Sequence, residues 1–527
     1  MTKAHRQWLS YVNQAYAWLE RMSRRKKAMC LVVLAVTLAA RMVLLPKIPI
    51  PEPRVPDEFA YLLGAETFAS GRLTNPAHPM WVHFETLMEL AQPTYASKYP
   101  PGQSLVLAIG WTLFGHPWFG VWISFGLFAA CLCWMLQNWV PPVYALFGTA
   151  ITLARVSVAG YWMNSYWGGA VAAAAGCLVL GVLPRLARQG VRSRDVVVAS
   201  IGLVLLANTR PYEGLVMSAV ALVALLMWRR RRQRKLSELL SVRCLLPLLL
   251  VCGTGASLDA YYNYRVTGNA LVTPYALYMQ QYQVHSPWIL FSERKTPVYR
   301  HVDIENTWKE QNAESLQARS KPVVNLKATY AVVAFFWSAL CAFPVIIGIL
   351  LSRGDRPYTA GIIWMGVCLS LFLESIKAPH YVAGGVGLFA LVAVYGLRWL
   401  RVIGRDYGPL LVVTLVALLC LRGKAPEGGQ SWETGRTSPR MIAAQEVRRQ
   451  SGRHLILVRY SLDHIDRGDE CVYNGADIDA SEIVWARDMG EAKNSELLDY
   501  YKGKRRVWIY QPDTSPGKLI PYQSVSQ

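Results

Sequence analysis

Residues 28–45 read AMCLVVLAVTLAARMVLL, from Ala28 to Leu45, and Pro46, Pro49, Pro51, Pro53 and Pro56 follow. A membrane-crossing helix needs about 20 apolar residues in succession, because only a helix satisfies its own backbone hydrogen bonds in lipid. Residues 28–45 meet that need, and the prolines then stop the helix. Stretches of the same kind recur as far as Leu421. The chain of 527 residues is 53% hydrophobic and 17% charged, whereas soluble domains carry about 25% charged residues. The expected fold is mainly α, a polytopic transmembrane bundle of about 11–12 spans.

The net charge of +21 raises the question of nucleic acid. The densest basic runs, Arg24 to Lys27 and Arg229 to Lys235, lie at the ends of apolar stretches, where the positive-inside rule places cytoplasmic loops. No recognition module accompanies them, so nucleic acid is not an expected partner; anionic membrane lipids are. Nine of the ten cysteines lie in or beside apolar stretches, without zinc-ligand spacing. Some 27 mostly polar residues precede the first apolar run and no small-residue cleavage site follows it, which is not the pattern of a removable signal.

Trp8, Leu9, Val12, Tyr16 and Leu19 share one helical face, so residues 1–27 are expected as an interfacial helix on the cytoplasmic leaflet. The membrane domain would occupy 28–421, with a first outer loop at 46–100 and a second long one at 261–328. Between Tyr99 and Asn164 both ends fall outside, yet three apolar runs lie there, Gly102 to Phe114, Trp118 to Gln137 and Pro141 to Val158. One of the three must be re-entrant or interfacial. A linker is expected at 422–440 from its Gly, Pro, Ser and charge content. A small α/β domain outside the cytoplasm is expected at 441–527, with strands near His454 to Tyr460 and Arg506 to Tyr510 and a helix near Glu491 to Tyr501.

The polar punctuation of the outer face gathers a set of candidates. Asp57 and Glu58 open a helical run; Asp57 suits either an N-cap or a general base removing a proton from an acceptor hydroxyl. No Glu or Gln stands three residues after Asp57, so no capping box is expected there. Lys98, Arg210, Lys377 and His380 can neutralise a phosphate, though a cation near a span end also suits a lipid headgroup. Tyr99, Gln103, Asn164, Tyr166, Trp167 and Glu213 are candidates for substrate binding. Tyr275, Tyr278 and Tyr282 form a stripe at helical spacing, for which the aromatic belt at the membrane interface is the favoured account over sugar stacking. His78, His83 and Glu85 match no standard metal spacing. Asp477, Asp479 and Asp488 suit turns and caps. Such a face suits a substrate with a charged head and a lipid tail.

One span, an outer loop carrying Asp57-Glu58-Phe59-Ala60-Tyr61, then Tyr99-Pro100-Pro101-Gly102 leading into the next apolar run, resembles the fold-class-C (GT-C) glycosyltransferases, specifically the protein O-mannosyltransferase and aminoarabinose transferase type. The resemblance is strong over residues 28 to 215 and architectural thereafter. It implies a sugar taken from a polyprenyl-phosphate carrier and passed to an extracytoplasmic glycan, lipid or protein, at the outer side of a bacterial inner membrane. It implies Asp57 as base of an inverting displacement, Glu58 as its support and outer-face cations around the carrier phosphate. No cofactor is required, although some members use a divalent metal. Many relatives carry a second acidic residue in the next outer loop, where this chain has Asn164-Ser165; Glu213 is the substitute at hand. Two other classes fit the same features, a flippase of lipid-linked sugars and an oligosaccharyltransferase or O-antigen-ligase-like enzyme. An absent internal repeat and few mid-span charges weigh against the flippase.

Overall fold

The computed structural model describes residues 3–290, 294–337, 339–421, 438–466, 468 and 470–522. Helices α1 (Lys3–Ser23) and α2 (Lys26–Val43) open the chain. Tyr16 of α1 is buried and its hydroxyl lies 3.2 Å from that of Tyr144; the side chains of Trp8 and Leu9 lie outside the described set. Arg41 closes α2 by donating to Ile48 O at 2.9 Å and Pro49 O at 3.1 Å, which folds the proline-rich run back over the helix end.

Beyond it come α3 (Pro56–Ala69) and three short strands, β1 (Asn75–Pro76), β2 (Glu89–Leu90) and β3 (Thr94–Ser97), antiparallel in the order β1-β3-β2. The bundle follows as α4 (Pro101–Phe114), α5 (Trp118–Trp139), α6 (Pro142–Val156), α7 (Ala170–Arg188), α8 (Ser193–Ala207), α9 (Pro211–Arg231) and α10 (Val242–Thr267). Helices α11 (Pro274–Tyr282) and α12 (Val302–Ser320) precede α13 (Pro322–Phe336), α14 (Ala339–Leu351), α15 (Asp355–Leu373), α16 (Val386–Ile403) and α17 (Gly408–Leu421). Among the described residues, six helical stretches are long and apolar enough to cross a membrane: α5, α7, α9, α10, α15 and Pro379–Ile403, and the bent pair α13–α14 makes up to seven. Most of the other expected spans are shorter apolar helices, such as α6 and α8 at 15 residues each and α17 at 14.

The bundle has two chemically distinct ends. At one, the basic runs meet: Lys26 donates to Gln137 O, Arg234 to Arg188 O and Arg356 to Trp139 O, and Arg232 pairs with Asp355 at 2.5 Å. The opposite end carries the polar candidates. Helix α4 starts and finishes at this second end. Gly102 N–H donates to Asn208 O at 2.8 Å at its start. Near its finish, Gly110 lies so close to Gly120 in the first turn of α5 that a Cβ would come within 2.2 Å of Gly120 N. Trp118, which opens α5, bonds Met163 O at the same end. Of the three runs between Tyr99 and Asn164, α4 is therefore the one that does not cross.

The 261–328 region is more ordered than an outer loop. Helix α10 runs on to Thr267, into the stretch expected as loop from residue 261, and Tyr261, Tyr262 and Tyr264 carry it to a left-handed cap at Gly268.

The expected linker at 422–440 lies largely outside the described residues. After it come α18 (Pro439–Arg448), β4 (His454–Val458), β5 (Ile483–Arg487), α19 (Glu491–Tyr501), β6 (Arg506–Gln511) and β7 (Lys518–Pro521). The sheet order is β5-β4-β6-β7, parallel except for β7. Alternation along β4 divides its two faces. Ile456 and Val458 pack with Ala443, Ala444 and Val447 of α18. Leu455 and Leu457 pack with Leu497 of α19 and with Leu63, Phe84 and Tyr95 of the first outer loop. The C-terminal domain is thus docked on that loop through its own core.

Candidate active site

The site begins with the start of α3. Proline is at home in the first helical position, where an N–H has no partner anyway, so Pro56 starts the helix and Val55, not Asp57, is the N-cap. Of the two roles open to Asp57, capping is therefore not the one it takes, since the N-cap lies two residues earlier. Glu58, third in the helix, reaches back to accept from Arg54 N–H at 2.8 Å and Val55 N–H at 3.3 Å, the acidic half of a capping box. Its other oxygen accepts Tyr166 N–H at 3.0 Å. Burial raises the Glu58 carboxyl to about 7 against these three N–H donors. Glu58 is a brace between α3 and the 157–169 loop.

The same brace takes up three of the substrate candidates. Gln103 donates to Tyr166 O at 2.9 Å, Tyr166 hydroxyl to Pro51 O at 2.8 Å, and Asn164 to Val158 O and Gly160 O at 3.1 and 2.9 Å. Gln103, Asn164 and Tyr166, candidates for substrate binding, bind backbone and shape the loop, because a turn-rich segment leaves carbonyls without helical partners.

Relieved of capping, Asp57 accepts a hydrogen bond from the Tyr99 hydroxyl. Tyr99 stacks on Tyr61 at 4.4 Å. Lys98, 5% exposed, has its ammonium 4.9, 5.3 and 4.8 Å from the ring centroids of Tyr99, Tyr275 and Tyr278. Burial pulls its pKa down to about 8, with the nearby Asp57 charge opposing. Arg210 sits just before α9, with its guanidinium 4.7 Å from the Tyr381 ring and 3.8 Å from Glu213. Tyr61, Tyr99 and Tyr275, each held protonated by burial, lie in the fields of both Asp57 and Arg210. Two carboxylates, Asp57 and Glu213, and two cations thus surround a single cluster of tyrosines.

Lys377 and His380 stand at its margin. The Lys377 ammonium donates to Asn325 Oδ1 and Glu374 O, and burial lowers its pKa to about 8. Burial, and next the charge of Glu213, raises the Glu374 carboxyl. His380 is buried against Trp167 at 4.5 Å and bonds the Tyr161 hydroxyl at 3.1 Å.

The tyrosine stripe of α11 does not lie in an interfacial belt. Tyr278 is fully buried and its hydroxyl accepts Met88 N–H at 2.8 Å, while Tyr282 donates to Glu85 at 2.6 Å. The stripe faces the first outer loop, where Tyr275 and Tyr278 wall Lys98. Tyr61, Tyr381, Glu374 and Asn325 were not singled out as site residues; Tyr61, four residues after Asp57 on the same helical face, carried the clearest signal.

The first-loop histidines have other partners. His78 meets Asp479 at 3.2 Å, His83 meets Arg487 O at 3.2 Å, and Glu85 meets His301 at 3.3 Å. Among the described residues no group of three His, Cys, Asp or Glu side chains could hold a metal. Asp477 accepts Ala480 N–H and Asp488 accepts Gly490 N–H, while Asp479 also accepts from Tyr500 and Tyr501.

No protein-family model matches this sequence, and no curated protein matches it significantly. In three dimensions the outcome differs. The crystal structure of ArnT from Cupriavidus metallidurans in the apo state aligns with a TM-score of 0.51 at 14% identity, over 94% of this chain and 93% of that one. The chain has an ArnT-like fold. A second crystal structure of ArnT, bound to undecaprenyl phosphate, aligns with a TM-score of 0.49 at 14% identity over 92% of each chain. The architecture shared with apo ArnT runs through both the membrane bundle and the C-terminal domain, and it is the GT-C arrangement that the Asp57-Glu58 and Pro100-Pro101-Gly102 motifs implied.

Proposed function

We propose that the chain is an integral membrane glycosyltransferase that takes a sugar from a polyprenyl-phosphate carrier, with Asp57 as its base. The observation that carries this reading is the placement of Asp57, Lys98 and Arg210 around one tyrosine cluster, at the bundle end opposite the basic runs. By the positive-inside rule the basic end is cytoplasmic, so the site and the C-terminal domain face outward.

The chemistry follows from the groups present. Asp57 takes the proton of an acceptor hydroxyl as its oxygen bonds to the anomeric carbon. The bond from that carbon to the phosphate oxygen breaks, its electron pair leaves with the phosphate, and attack from the opposite face inverts the centre. The departing polyprenyl phosphate gains one negative charge, and Lys98 and Arg210 stabilise it where it develops. Tyr99 holds one Asp57 oxygen and leaves the other for the acceptor. Buried tyrosine faces offer the flat, polar-edged walls a sugar ring needs. Phosphate leaves readily, so the residues named supply the proton transfer and charge stabilisation this step requires.

The test is to offer the purified protein a panel of polyprenyl-phosphate pentoses and hexoses with envelope glycans, lipids and proteins as acceptors. Conversion of one donor to free polyprenyl phosphate with a glycosylated acceptor is expected. Unaltered donors across the panel would sink the reading. Alkaline phosphatase fused near Gly428 should be active and near Arg232 inactive; the reverse would invert the orientation.

A further inference from the structure

Helix α3 has two working faces. Asp57, Tyr61 and Ala65 recur at helical spacing and turn toward the membrane core, where Tyr61 and Ala65 pack with Leu107 and Trp118. Phe59, two residues after Asp57 and so about 200° around the helix, turns the other way, toward the C-terminal domain. Its ring stacks on Tyr473 at 4.2 Å with 5° between the planes. The Arg440 guanidinium lies 5.1 Å from the Phe59 ring and 4.7 Å from that of Trp485. Arg440 is fixed in turn, donating to Cys471 O at 3.0 Å and Tyr473 O at 2.8 Å. Tyr473 is 1% exposed and its hydroxyl bonds Leu87 O.

The remaining contacts on this face repeat the pattern. Leu63 enters the core of the C-terminal domain. One turn further, Glu66 accepts Ala476 N–H at 2.9 Å, and a Cβ on Gly475 would come 2.7 Å from the same carboxylate. Phe59, Leu63 and Glu66 are thus gripped by residues 440 and 471–476 along two turns. A clamp of this kind is more than is needed to tether a domain. Rotation of α3 by a few degrees would swing Asp57 away from Tyr99.

We propose that Tyr473 and Arg440 are positioning residues. By clamping Phe59 they hold the first turn of α3 and keep the Asp57 carboxylate at its working place beside Tyr99 and Lys98. The C-terminal domain therefore acts on the reaction step through α3, without touching carrier or acceptor. The inference rests on the assignment of Asp57 as base. Misplacing a reacting group by 1 Å can cost about 10²-fold in rate.

The experiment uses the full chain with Tyr473→Ala, Tyr473→Phe, Arg440→Met and, as a control, Ile509→Ala. Ile509 of β6 is buried but belongs to neither of the apolar clusters that hold Leu63, Cys471 and Trp485, so its truncation lowers domain stability away from the clamp. With a polyprenyl-phosphate sugar that the wild type consumes, Tyr473→Ala should lower kcat about 10²-fold and leave KM within a few-fold. Tyr473→Phe, which keeps the stack, should recover most of the turnover. Backbone amides of Glu58 to Tyr61 should exchange with deuterium at least roughly tenfold faster in Tyr473→Ala than in wild type. Ile509→Ala, assayed below its unfolding temperature, should match the wild type in kcat and in exchange at α3.

Wild-type kcat in folded Tyr473→Ala would overturn the proposal, as would equal damage from Tyr473→Phe or from Ile509→Ala. If Tyr473→Ala does not fold, Arg440→Met takes its place, and wild-type kcat and exchange in that variant would overturn it equally. If the wild type consumes no donor, the glycosyltransferase reading has failed. The clamp is then decided by exchange alone, and unchanged protection of Glu58 to Tyr61 refutes it.

Discussion

Arginine does different work at the two ends of this bundle. At the basic end Arg229 is fully buried and donates to Leu186 O at 2.5 Å, Lys235 O at 2.7 Å and Glu238 at 2.9 Å. Arg234 takes Arg188 O and Arg356 takes Trp139 O. Leu186, Arg188 and Trp139 lie in the last turns of α7 and α5, where carbonyls lack helical partners and the helix dipole favours a cation. At the other end Arg210 and Lys98 rest on ring faces. Arg210 has the Glu213 carboxylate at 3.8 Å, and the Lys98 ammonium has no hydrogen bond or ion pair among the described residues. Charge that caps helices is consumed by the fold, whereas charge lying on tyrosines keeps its donors for an anion.

That difference is broken most severely through Asp57, the carboxylate that faces the uncommitted cations. Asp57→Asn keeps a hydrogen-bonding oxygen for Tyr99 but cannot accept the acceptor's proton. Turnover should fall about 10²–10⁴-fold. Carrier affinity should change far less, because the lost interaction belongs to the transition state. Measuring both on one folded preparation decides it. Near-normal turnover would end the case for Asp57 as the base.

Glu58 sharpens the contrast by pH. Its carboxyl is raised in the folded protein to about 7, from an ordinary value near 4.5, so the native state binds this proton more tightly than the unfolded chain. Stability from that proton is fully present below about pH 4.5 and is lost as pH rises through about 7. The rise from 4.5 to about 7 corresponds to roughly 3 kcal/mol. Thermal unfolding from pH 5 to 8 should show this loss in wild type and a flatter profile in Glu58→Gln. Parallel profiles would mean that the three N–H donors hold the carboxylate ionised throughout.

Much of the bundle is legible in the sequence because lipid imposes one rule on every span. The apolar runs, the basic ends and the placing of Asp57 and Tyr99 at one end of the bundle follow from contiguity and charge, whereas their hydrogen bond does not. The N-cap did not, because Pro56 moves the helix start one residue before the acidic pair and hands the capping task to Glu58. The destination of Tyr275 and Tyr278 was hidden for another reason. A stripe of tyrosines looks the same whether it faces headgroups or a buried lysine, and the deciding partner, Lys98, lies far away in the chain. The backbone partners of Gln103 and Tyr166 were hidden similarly: beside a site, polar side chains that bind substrate and those that bind loop carbonyls have the same composition. The run from His454 to Tyr460 signalled a strand, but not that one face of the sheet would be completed by Leu63 and Phe84 of another region.

The finest cut through the comparison replaces one cation at each end. Arg210→Gln or Lys98→Met should weaken binding of undecaprenyl phosphate relative to undecaprenol by about 1.5–3 kcal/mol, the worth of a charge-assisted contact. Arg234→Gln, which removes a helix-capping contact on an exposed surface, should leave that ratio unchanged and stability within about 0.5 kcal/mol. The two site cations should also separate by pH. Lys98 loses its proton as pH rises through about 8, so its share of the phosphate preference is present below that value and fades above it. A bound phosphate pulls the proton back and moves the loss upward, while arginine stays charged throughout. The phosphate preference of Arg210→Gln should therefore fall between pH 7.5 and 9.5, and that of Lys98→Met should stay level. Identical pH profiles for the two variants would mean that Lys98 does not meet the phosphate, and its ring of tyrosines would then be a packing arrangement around a buried ammonium.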